Sequence, residues 1–167
     1  LATWQSFGVA LAGAANTLAF DGAAIRAHNT DGPGLVADIT ANAGVPLAAR
    51  DLLLIGAGGA AAGVLGPLIE QAPRRIVIAN RTVARAEELV QRHAALAAQH
   101  RVALRASALD ASAQGGAFDV VLNATASSLG GAGVPVPAAV LRPGALALDM
   151  MYGPPAQGFL DWATAHG

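Results

Sequence analysis

With 167 residues, 54% of them apolar, the chain is long enough for one full domain or for one domain and a piece of another, and too apolar to be disordered. A formal net charge of −1, with no block of like charges, gives no electrostatic footprint for nucleic acid or anionic membrane. The absence of cysteine excludes disulfides, thiolate metal sites and cysteine nucleophiles, and fits a cytosolic protein. All ten basic residues are arginine, so no lysine-dependent step can come from this sequence. No apolar run reaches the roughly 18 residues that span a bilayer, nothing reads as a signal peptide, and no metal site is read. A start at Leu1 rather than Met reads as a missing natural beginning.

In chain order, residues 13–20 and 23–27 read as two short strands about an Asp21-Gly22 hairpin turn. Next comes AHNTDGPG (27–34), in which every residue suits a turn. Asp31 within it is a turn former, a helix cap or an active-site carboxylate, and its local sequence leaves all three open. Residues 35–43 have helical spacing and stop at Gly44. From residue 51 the pattern becomes regular. Residues 52–55 (LLLI) form a continuous apolar strand with no solvent face, as in a parallel sheet covered on both sides. A helix is expected over 60–71, a strand over 75–79 and a long helix over 83–99, with Ala86, Leu89, Val90 and Leu96 on its apolar face. Further strands are expected at 102–104, 118–122 and 145–149, and a closing helix at 159–165. His93, His100 and His166 read as solvated, and His28 receives no role. The alternation of strands and helices predicts an α/β, doubly wound sheet.

LIGAGGAAAG (54–63) is a strand, a G-x-G-x-x-A turn and a helix start within a βαβ unit. The arrangement suits a dinucleotide. Gly56 permits the tight turn, Gly58 lets the backbone approach a pyrophosphate, and Ala61 lets the helix pack close to its strand. The helix N-terminus then offers N–H groups to the anion. At the end of the second strand, where NAD-specific domains place an acidic residue, stand Asn80, Arg81 and Thr82. Arg81 is suited to a bidentate pair with a 2′-phosphate, which points to NADP. Asn80 and Thr82 also suit the cap of the next helix.

Five blocks stand in order: GAANTL with DG (13–22), NTDGPG (29–34), LIGAGGAAAGVLGPL (54–68), IANRT (78–82) with FDVVLNATASSL (118–129), and DMMYG (149–153) with FLDWA (159–163). Together they resemble the shikimate dehydrogenase family, the NADP-dependent reductases of the shikimate pathway, over nearly every residue from 13 to 167. The resemblance implies a Rossmann-like doubly wound parallel sheet with the tail of an N-terminal α/β substrate-binding domain. Residues 1–30 would be the C-terminal remnant of that domain. Residues 31–167 would be the NADP-binding domain, expected to stop short at its C-terminus before the family's Gly-rich block with a substrate-contacting Gln.

The same resemblance implies Asp31 as the catalytic carboxylate and a substrate ligand, with Asn16 and Tyr152 also on the substrate. It places Gly56, Gly58, Gly59, Ala60, Asn80, Arg81, Thr82, Thr125 and Met150 about the cofactor. The substrate would be shikimate or 3-dehydroshikimate, the compartment cytoplasmic, and the state monomer or homodimer. The family's catalytic lysine precedes the AANT block and has no counterpart here. The chain is therefore expected to be a fragment that binds NADP(H) but barely catalyses. Gln157-Gly158 replaces the family's usual Thr-Pro and alters the loop after Tyr152. A quinate/shikimate-type relative and a non-catalytic NADP-binding module are the other readings.

Overall fold

The computed structural model describes residues 2–126 and 133–166. Ser127, Ser128 and Leu129, which end the fourth sequence block, therefore lie outside the described residues, as do Leu1 and Gly167 at the limits of the two domain ranges.

The chain opens with a small three-stranded sheet in the order β1-β3-β2, made by β1 (Trp4–Gln5), β2 (Thr17–Asp21) and β3 (Ala24–His28). β2 and β3 form the expected hairpin, paired from Thr17↔His28 to Asp21↔Ala24, with Gly22 at φ +57° in the turn. The first strand starts four residues later than expected, because residues 13–16 form a loop instead. β1 and a short helix, α1 (Phe7–Ala12), were not expected. α1 is capped at both ends: Ser6 accepts from the Val9 N–H at 3.3 Å, and Gly13 closes it at φ +66°. Trp4, Phe7, Leu18 and Phe20 remain exposed on this unit.

α2 (Asp31–Ala37) begins at Asp31, four residues before the expected start. Pro33 is tolerated because it lies in the first turn, where its missing N–H is not needed. The helix then widens into a π turn, Asp38–Asn42, stabilised by Asn42 donating to Asp38 at 2.7 Å, and Gly44 follows at φ +66°.

The larger sheet has five parallel strands in the order β6-β5-β4-β7-β8: β4 (Asp51–Ile55), β5 (Arg75–Ala79), β6 (Ala103–Ser107), β7 (Phe118–Asn123) and β8 (Leu141–Asp149). Between them lie α3 (Gly59–Glu70) and α4 (Val83–Gln99), and α5 (Gln157–His166) closes the described chain. Strand periodicity sends alternate residues to opposite faces. Leu52, Leu54, Ile76, Ile78, Val120 and Leu122 pack beneath α2, α3 and α4. Leu53, Ile55, Val77 and Val121 pack with Val136, Val140 and Phe159 on the other face. Each such side chain contributes about 1.5–3 kcal/mol by leaving water. Gln157, at the start of α5, donates to Asp161 at 2.7 Å.

His93 overturns an expectation. It is buried, not solvated: it lies on the inner face of α4 at 1% exposure, with Nδ1 2.9 Å from the Leu89 carbonyl and no partner at Nε2. Burial pushes its pKa below the usual histidine value; the charge of Arg92 lowers it further and the Leu89 bond partly opposes both.

At the amino ends of the strands, the buried Asp51 of β4 receives Arg74, just before β5, Arg75 of β5 and Arg142 of β8. Asp119 of β7 accepts from the Asp51 N–H at 2.8 Å and from Arg142 at 2.5 Å. Burial by itself would raise the pKa of Asp51; the Arg74 hydrogen bond, the Arg75 and Arg74 charges and the Arg142 bond outweigh it and hold the carboxylate below its usual range.

Candidate active site

The expected cofactor residues lie at the opposite, carboxyl ends of the strands of the large sheet. β4 ends at Ile55, and Gly56 follows at φ +107°, a conformation that favours glycine. A Cβ there would lie 3.0 Å from both the Ala124 carbonyl and Thr125 Cγ2. Gly56 is thus required by the close approach of the β7 end as well as by the turn. Gly58 stands at the N-cap of α3, and a Cβ on it would meet nothing within 4 Å. Gly59 and Ala60 are exposed in the first turn, which carries neither a side-chain cap nor an acidic residue. Ala61 is fully buried, as close helix packing requires.

Beyond β5, the Asn80 N–H donates to the Ser107 carbonyl at 3.1 Å and its side-chain amide to the Thr82 carbonyl at 2.8 Å. Thr82 occupies the N-cap position of α4, but no side chain makes a capping bond there. Asn80 therefore braces the turn and does not cap the helix, and the capping alternative is corrected to that extent. Arg81 is exposed, and its guanidinium has no hydrogen-bond or ion-pair partner among the described residues. Arg85, one helical turn on, lines a cleft of about 270 Å3 with Gly13, Ala14, Gly58, Gly59 and Arg92. Arg85 was not among the expected site residues, although its i+4 spacing from Arg81 was a usable signal.

The AANT loop and the NTDG turn meet. Asn16 Nδ2 donates to Asp31 Oδ1 at 2.6 Å, while Asn16 Oδ1 accepts from the Thr30 N–H at 3.0 Å and from Thr17 Oγ1 at 2.9 Å. Asp31 is the first residue of α2, where a carboxylate is favoured by the helix dipole. At the ends of β7 and β8, buried Asn123 donates to Asp149 at 2.8 Å and accepts from Thr125 Oγ1 at 2.7 Å. Asp149 also accepts from the Met151 N–H at 2.8 Å, and the Met150 N–H donates to the Asn123 carbonyl at 2.9 Å. Thr125 is thereby held beside Gly56, and Met150 beside the end of β7. Asn123 and Asp149 were not among the expected site residues, although polar groups ending apolar strands mark both. Tyr152 stands apart at 88% exposure, with no hydrogen bond among the described residues.

A parallel sheet in this order, with a glycine turn leading from its central strand into a helix, defines a Rossmann-like doubly wound domain. The sequence profile of the family described as Shikimate / quinate 5-dehydrogenase matches residues 38–130, and the chain belongs to that family. It is 70% identical over 167 residues to the shikimate dehydrogenase (NADP(+)) of Acidovorax sp. (strain JS42), covering all of this chain and 58% of that relative. Among solved structures it is similar to an Ael1 enzyme from Pseudomonas putida, with 42% identity and a TM-score of 0.87 over 99% of this chain and 59% of the other. It is also similar to the shikimate 5-dehydrogenase of Thermus thermophilus in complex with NADP(H) and shikimate, with 29% identity and a TM-score of 0.79 over 99% of this chain and 58% of the other. The chain thus spans a little under three-fifths of the length of these relatives. Among the described residues no helix is long and apolar enough to cross a membrane.

Proposed function

We propose that the chain supplies the NADP(H)-binding domain and one wall of the substrate site of a shikimate dehydrogenase, which reversibly reduces the ketone of 3-dehydroshikimate. The observation that carries the cofactor choice is Arg81, unpartnered among the described residues at the end of β5, with Arg85 one turn behind it and no carboxylate in residues 79–82. An NAD-specific domain has an acidic residue there for the ribose hydroxyls, and it would repel a 2′-phosphate. The remaining residues fit the same group. The open space over Gly58 and the uncapped first turn of α3 suit a pyrophosphate, with Gly56, Gly59 and Ala60 shaping the approach and Asn80 and Thr82 bracing the adenine-side turn. Thr125 and Met150 would flank the nicotinamide end. The NADP(+) in the names of the relatives supports this reading.

NADP(H), when bound there, would supply or accept the hydride. The chain's own groups bind and orient the substrate: Asn16 and Asp31 stand within hydrogen-bond distance of each other and would grip neighbouring hydroxyls, and the family resemblance adds Tyr152 as a further substrate contact. In the family's chemistry Asp31 works with a lysine that protonates the developing alkoxide. This sequence contains no lysine, so the 167 residues by themselves bind the cofactor with little turnover. Residues 1–30 act as the end of a substrate-binding domain and 31–167 as the cofactor domain; the exposed Trp4, Phe7, Leu18 and Phe20 support that division.

Fluorescence titration of the chain with NADPH and NADH tests the cofactor assignment. NADPH should bind about 10- to 100-fold more tightly, the worth of a charge-assisted pair with the 2′-phosphate. Arg81→Ala should remove most of that preference and Arg85→Ala part of it. Equal affinity of the unsubstituted chain for both cofactors would sink the assignment.

A further inference from the structure

We infer that Asn29 is a positioning residue that carries register between the cofactor-binding helix and the two substrate-side groups; the inference rests on the cofactor reading above. One side-chain amide makes the connection. Asn29 Nδ2 donates to the Ala14 carbonyl at 3.2 Å, in the loop that presents Asn16. Asn29 Oδ1 accepts from the Asp31 N–H at 3.1 Å, fixing the turn that presents the carboxylate. The same amide lies flat on α3 at Gly63, where an added Cβ would fall 2.6 Å from Nδ2 and 3.1 Å from Oδ1.

The helix is notched to receive it. Pro67 has no N–H, so the Gly63 carbonyl lacks the bond that residue 67 would ordinarily send back to it. Gly32, in the first turn of α2, fills the notch; a Cβ on Gly32 would sit 2.8 Å from that carbonyl and against the Pro67 ring. Gly63 lies one turn, about 6 Å, along α3 from Gly59, where the cofactor's phosphates would enter. The side-chain hydrogen bonds of Asn16 and Asp31 run to each other and to Thr17 and Thr30, not to α3; Asn29 is the side chain that packs on the helix and hydrogen-bonds the loop or turn presenting each of them, alongside the backbone seat of Gly32. Filling the cleft at Gly58 and Gly59 is therefore felt at Asn16 and Asp31 through this amide.

Adenosine 2′,5′-bisphosphate is the probe, because it fills the phosphate end and has no nicotinamide to touch Asn16 or Asp31 directly. Two-dimensional NMR of the unsubstituted chain should show shifts at the Thr30 and Asp31 amides and the Asn16 side-chain amide as the probe binds. Asn29→Ala should hold probe affinity within about threefold, as for a substitution outside the binding cleft, and abolish those remote shifts. Asn29→Ser keeps an oxygen that can accept from the Asp31 N–H but cannot reach Ala14; it should keep the Asp31 response and lose that at Asn16. Remote shifts that persist unchanged in Asn29→Ala, or a probe that binds the unsubstituted chain without them, overturn the coupling. A probe that fails to bind the unsubstituted chain overturns the cofactor reading, and this inference with it.

Discussion

Gly63→Ala should change the sign of its effect on stability according to what stands at position 29. In a helix interior the change from Gly to Ala is ordinarily favourable by about 1 kcal/mol. Here the three nearest atoms to the new Cβ all belong to the Asn29 side chain, the closest at 2.6 Å. That side chain cannot swing aside without breaking its bonds to the Ala14 carbonyl and the Asp31 N–H. Losing two hydrogen bonds costs about 2 kcal/mol, so Gly63→Ala alone should destabilise by about 1 kcal/mol. In an Asn29→Ala background the obstruction is gone and the same substitution should stabilise by about 1 kcal/mol. The coupling in the double-mutant cycle is then about 2 kcal/mol, well above the additivity limit of independent sites. Urea unfolding followed by circular dichroism at constant m-value measures all four corners. An equal effect of Gly63→Ala in both backgrounds would refute the steric account of the junction.

His93 predicts acid sensitivity. Its folded-state pKa is depressed, chiefly by burial, so the unfolded chain takes up a proton at about pH 6.5 while the folded chain does not. The contribution is complete above that value and falls by about 1.4 kcal/mol per unit as pH drops towards the folded pKa; thermal melts from pH 8 to 5 should lose this slope in His93→Leu, and an unchanged slope would remove His93 as its source. Gly56→Ala should destabilise by about 1–3 kcal/mol, the cost of holding a side chain in a sparsely populated conformation. It should also weaken NADPH binding, because the β7 end at Ala124 and Thr125 must retreat; wild-type melting and affinity would contradict the close approach seen there.

The large sheet was legible because β4, β5 and β7 carry short apolar runs, at 52–55, 76–79 and 120–122, as expected of strands in a sheet covered on both faces. β1 and α1 were not, since a strand of two residues carries no period, although Ser6 and Gly13 advertised the helix ends. His93 shows residue type overriding spacing. It falls in line with Ala86, Leu89 and Leu96 on the inner face of α4, and the 3.6-residue period had already marked that position as buried. The proximity of Asn16 and Asp31 came from family likeness alone, because no local rule brings together groups 15 residues apart. The fit of Asn29 and Gly32 onto Gly63 and Pro67 was invisible for the same reason: each looks like ordinary turn or helix punctuation until the two helices meet.

The arginine–aspartate cluster at the amino ends of the sheet bears on redesign. Asp51 and Asp119 bind β4, β5, β7 and β8 into one foundation at the end remote from the cleft. Residues such as Arg81, Arg85 and Tyr152 are free of that duty, and new specificities can be grafted at the carboxyl ends while the foundation keeps the strands in register.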